Sequence, residues 1–165
     1  VRSAPMAQPD VILEHPNRET PEAKSTRATV VLLLIVSAVL MTVILLGGWE
    51  WMSGFNAVTI GFILLDLLFA YYVARWVRGV LPVAAALAMI VLVFAGIAVP
   101  SWFDRDATGF GEPTLPPDVL GILCAALIPV QLLLMAFAMR GFNQAWNVQV
   151  ERPVEPHDHA APHAI

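Results

Sequence analysis

"TVVLLLIVSAVLMTVILLGG", residues 29–48, contains no charged side chain and closes on paired glycines. A helix of about 20 such residues, rising ~1.5 Å per residue, matches the ~30 Å hydrocarbon thickness of a bilayer. It is apolar all round and has no polar stripe to turn toward water, so it reads as a transmembrane span.

Three further blocks of similar length follow, at 57–76, 80–99 and 119–139. They account for a composition that is 58% hydrophobic and only 13% charged, against roughly 45–50% apolar in soluble domains. The expected fold is an all-α integral membrane protein of four antiparallel transmembrane helices. Its domain is expected at 29–139, after a polar segment at 1–28 and before a segment at 140–165. The connections are "WEWMSGFN" at 49–56, a tight turn after "YYVARWVRG", and a proline-containing loop at 100–118. Short connections favour antiparallel neighbours.

The distribution of cations sets the expected orientation. Arg2, Arg18, Lys24 and Arg27 precede the first span, Arg75 and Arg78 join the second to the third, and Arg140 and Arg152 follow the fourth. The opposite side carries Arg105 alone. The positive-inside rule then places both termini in the cytoplasm. The first 27 residues are polar, so the first span is expected to act as its own insertion signal. A leading Val, where a GTG start codon would stand, and the excess of Arg over Lys point to a bacterial inner membrane.

Aromatic residues gather at the two expected boundaries. Trp49, Trp51, Phe55, Trp102 and Phe103 lie at the outer one, and Tyr71, Tyr72, Trp76, Phe142 and Trp146 at the inner one. Such rings suit the headgroup level. After the fourth span, Phe142, Trp146 and Val150 recur every four residues, which predicts a short interfacial helix of about three turns along the inner surface. Beyond Pro153 the composition is that of a disordered tail.

Candidate chemistry is sparse. The apolar run "FILLDLLFAYY" (62–72) holds one carboxylate, Asp66, near the middle of the second span. Insertion scales put an Asp there at about 2.5 to 3.5 kcal/mol. On its own helical face only Thr59 is polar among Phe62, Phe69, Ala70 and Val73, so a partner must come from another helix. Gln131, near the centre of the fourth span, is the other sizeable polar side chain at that depth. Spans two and four are therefore expected to touch through an Asp66–Gln131 hydrogen bond, two residues beyond Pro129. Such a bond would be structural glue or part of a proton or cation relay.

The outer loop offers Trp102, Phe103, Asp104 and Arg105 as a candidate docking surface. The acids Asp104, Asp106 and Glu112 lack the regular spacing of a dedicated Ca²⁺ loop. The tail residues His157, Asp158, His159 and His163 sit on a proline-bearing segment whose ordering opposes tight metal binding. Cys124 is the only cysteine, so an intrachain disulfide and a CxxC redox pair are excluded. No phosphate loop, GxSxG or HExxH pattern occurs, and no span contains a histidine for haem ligation. No cofactor and no catalytic or metal site is therefore expected, and no basic tract suggests nucleic acid.

Ala84 and Ala88 in the third span form a small-xxx-small step suited to close helix packing. The expected partners are the lipid bilayer and other membrane subunits or copies of this chain. The expected function is that of a non-catalytic accessory or assembly subunit of a larger membrane complex. The alternative is an oligomeric proton- or cation-coupled transporter or channel that uses Asp66.

Overall fold

The structure, a computed structural model, describes residues 11–52, 54–105 and 113–153. It is mostly helical, with four helices long and apolar enough to cross a membrane. These are α2 (Pro21–Gly47), α3 (Asn56–Ala74), α4 (Val80–Phe103) and α5 (Pro117–Asn143). Two strands, β1 (Val11–Glu14) and β2 (Val150–Pro153), and a single helical turn, α1 (Pro16–Glu19), complete the described chain.

The helix α2 begins eight residues before the apolar block. Thr20 caps it, its hydroxyl accepting a bond from the Ala23 amide at 3.2 Å, with Pro21 in the first turn and Glu22 after it. A proline whose missing N–H is not needed and an acid at the positive helix end both favour that start. The early turns are packed, with Ala23 and Thr26 buried. Hydropathy alone marked where the apolar run begins, and the cap marks where the helix begins.

The four long helices form an incomplete ring. Helix α2 packs against both α3 and α5, α5 packs most extensively against α4, and α3 meets α4 only loosely. Ala84 and Ala88 are both buried, and Ala88 shares a cluster with Leu134 and Ala138 of α5, the close approach that a small-residue step permits. The interior divides into two apolar clusters. One contains Val30, Leu34, Val73, Leu81, Leu134 and Trp146, at the end where the first long helix begins and the fourth ends. The other contains Met41, Ile44, Val91, Trp102, Leu120 and Leu127, at the opposite end.

The predicted interfacial helix after the fourth span is not formed. Helix α5 stops at Asn143, and Ala145 adopts a left-handed backbone (φ 49°) that reverses the chain. Trp146, instead of lying on a surface, is fully buried against Leu81 and Gly141. The four-residue recurrence of Phe142, Trp146 and Val150 therefore reports no helix. The interior has a space that only a large side chain fills, and burying an indole outweighs the helical continuation. Because a left-handed alanine costs roughly 1–2 kcal/mol, Ala145→Gly is expected to raise thermal stability modestly in detergent melts.

Beyond that turn the chain is extended. β2 pairs antiparallel with β1, Ile12 opposite Arg152 and Leu13 opposite Glu151. The expected all-α description thus gains a two-stranded sheet joining residues from near both ends of the sequence. The expected disordered tail and the four residues His157, Asp158, His159 and His163 lie outside the described residues.

Two arginines that set the expected orientation also close helix ends: Arg27 donates to the Ala74 carbonyl at the end of α3 (3.0 Å) and Arg78 to Phe142 near the end of α5 (2.7 Å), while Arg18 donates to the Trp146 carbonyl beyond that helix (2.8 Å). Cations suit the exposed carbonyls of a helix C-terminus.

Candidate functional site

Between the two apolar clusters lies one polar layer: Ser37 of α2, Asp66 of α3 and Gln131 of α5, each at most 2% exposed. Each is flanked on its own helix by cluster residues about one turn away. Leu34 and Met41 bracket Ser37, Phe62 and Ala70 bracket Asp66, and Leu127 and Leu134 bracket Gln131.

Gln131 Nε2 donates to Ser37 Oγ at 2.7 Å. The Ser37 side chain also lies against the Asp66 carboxyl and interacts with it, while Asp66 Oδ2 is buried without a hydrogen-bond partner. The expected direct contact between spans two and four is therefore replaced by a relay. Helix α2 stands between α3 and α5, packing on both, and its Ser37 hydroxyl is the bridge. A serine hydroxyl is small beside an acid or an amide and does not stand out in an apolar run. Its depth was legible, one or two residues from the middle of the first span, as Gln131 is in the fourth.

The contribution of this layer can be measured. Hydrogen bonds between membrane helices contribute about 0.6 kcal/mol on average and about 1.7 at most. A double-mutant cycle on Ser37→Ala and Gln131→Leu, read by reversible unfolding in detergent, is expected to give a coupling in that range. Strict additivity would show that the 2.7 Å bond contributes nothing.

The candidate docking residues separate. Trp102 is only 5% exposed and belongs to the interior, stacked on Trp51 with centroids 6.4 Å apart. It does not sit at a headgroup surface, because Gly48 leaves room for its ring. Phe103 is half exposed, yet its ring lies over Gly121 of α5, whose missing side chain permits the approach. Asp104 is exposed. Arg105 lies over the Trp102 ring at 4.5 Å and the Trp51 ring at 5.6 Å, and donates to the Trp51 carbonyl at 3.4 Å. Asp106 and Glu112 of the loop lie outside the described residues.

The loose meeting of α3 and α4 leaves a cavity of about 380 Å³ at this end. Phe55, Phe62, Phe94 and Trp102 line it, with Arg105 beside the indoles. Its inner wall includes Met41, Phe62 and Leu127, each four residues from a member of the polar layer. That is about 6 Å along each helix. Sequence reading missed the cavity, since no single residue marks a gap between two helices.

Comparison with protein-family models, curated proteins and solved structures finds no match to this chain.

Proposed function

We propose that this protein is a non-catalytic accessory or assembly subunit of a larger membrane complex, a multi-pass protein of the bacterial inner membrane with both termini in the cytoplasm. The observation that carries the reading is the two-stranded sheet at the terminal end. Ile12 and Leu13 on β1 and Val150 on β2 are each about half exposed, and Val148 is 40% exposed. These residues lie outside the four long helices, where bilayer lipid does not account for exposed apolar side chains. An isolated pair of strands is marginal in water and offers two edges for a third strand. Addition of a partner's strand would cover both the edge and the apolar side chains.

Extraction in mild detergent followed by identification of co-purifying chains tests this directly. Distinct membrane subunits are expected, and Ile12→Asp with Leu13→Asp should reduce their recovery without altering the bundle's melting. A homo-oligomer and nothing else would sink the proposal.

The second reading, an oligomeric proton- or cation-coupled transporter, is favoured by the unpartnered Oδ2 of Asp66. Against it, the path from that acid to the terminal end is occupied by the buried apolar side chains of Leu34, Ala70, Val73 and Leu134. Flux into proteoliposomes that survives both Asp66→Asn and Asp66→Leu would remove Asp66 from any transport role.

A further inference from the structure

We infer that the cavity between α3 and α4 is a binding site for one acyl chain of an anionic phospholipid, whose headgroup is held by Arg105. This site lies at the opposite end of the bundle from the proposed docking sheet. It shares with that proposal only the placement in a bilayer.

Volume is the first reason. Protein interiors leave few voids larger than a water molecule, and walls facing an empty space lose their dispersion contacts. A space of about 380 Å³ lies within the range of small-molecule sites, roughly 300–1,000 Å³. Water is a poor filling, because the walls are aromatic and aliphatic side chains such as Phe62, Phe94, Met41 and Leu127.

The opening identifies where the occupant comes from. Phe55, Val58, Phe94 and Ile97 line the cavity and are 40% to 66% exposed. Val58, Phe94 and Ile97 lie on the outward side of helices long and apolar enough to span a membrane, with Phe55 just before the first turn of α3, so the gap opens sideways into the hydrocarbon region. The molecule at hand there is a lipid chain. The closed inner wall, with the polar layer about one turn behind it, limits how deep the chain reaches.

The charge at the mouth selects the headgroup. Among the described residues that line the cavity only Arg105 is charged; Glu50 and Asp104 at the same end are not part of the lining. Among the described residues, the contacts of its guanidinium are two indole faces and the Trp51 carbonyl, with no carboxylate. A phosphate can accept from the remaining N–H groups of the guanidinium fork. A choline headgroup, which would seek the same indole faces, meets a cation already lying on them.

The test uses the full-length protein in mild detergent, offered phosphatidylglycerol, phosphatidylcholine and oleate in equal amounts and read by native mass spectrometry. One phosphatidylglycerol per chain is expected, preferred over phosphatidylcholine by about fivefold, the contribution of a single arginine near anionic lipid. Arg105→Gln should erase the preference, and Arg105→Lys should keep part of it. Ala95→Phe, which places a ring in the cavity from a buried position on α4, should abolish retention of either lipid. Ala98→Leu serves the same purpose if the larger change prevents folding. Equal retention of the two phospholipids, no retained lipid, preferred retention of oleate, or a preference unaltered by Arg105→Gln would each overturn the assignment.

Discussion

Trp146→Ala is expected to destabilise the bundle by about 3 to 5 kcal/mol, the range for removing a buried large aromatic. Trp146 is the largest fully buried side chain described, although it lies three residues past the last helix. Its ring meets Trp76 edge-on at 5.2 Å, and its indole N–H donates to Gln144 Oε1 at 3.0 Å. Gln144 in turn donates to Thr26 of α2 at 3.1 Å. Removing the ring therefore opens a cavity shared by α2, α3, α4 and α5 and frees the segment that carries β2. Thermal melts in detergent should show the loss. Trp146→Phe, which keeps most of the volume but not the N–H, should lose much less. A Trp146→Ala protein that melts like the parent would show that the tryptophan is not packed as described.

Asp66→Leu is expected to act in the opposite direction and stabilise the protein by about 1 to 3 kcal/mol. The two side chains are close in shape, and insertion scales separate an Asp from a Leu at a helix centre by about 3 kcal/mol. Part of that difference is recovered in the native state through Ser37, while Oδ2 has no hydrogen-bond partner. Ser37 still accepts the bond from Gln131 when the acid is removed, and its own O–H can turn back to a carbonyl of the preceding helical turn. This follows the rule that a partly satisfied polar group is worse than an apolar one of equal size. Unfolding measured side by side for parent, Asp66→Leu and Asp66→Asn decides the matter. If Asp66→Leu stabilises, folding alone does not explain the acid. If it destabilises by more than about 2 kcal/mol, the acid is structural, beyond the usual contribution of a membrane hydrogen bond.

The sequence by itself determined the four long helices, because runs of about 20 apolar residues have one stable form in hydrocarbon, where every backbone group must be bonded within its own segment. It also determined the common depth of Asp66 and Gln131, which follows from counting residues along a helix of fixed rise. Asp66 and Gln131 are both buried in one layer, as that count implies. Only the tertiary structure decided which helices are neighbours, and with that the identity of the bridge. Ser37 occupies the place because α2 stands between α3 and α5, and helix order around a ring is not written in the hydropathy of any one helix.

The same holds for the two tryptophans taken from the boundary into the interior. Trp102 is admitted by the space over Gly48, and Trp146 by a chain reversal at Ala145. Periodicity is a local property and sees neither event. The cavity beside Arg105 is a misfit between α3 and α4, and a misfit exists only once two surfaces meet.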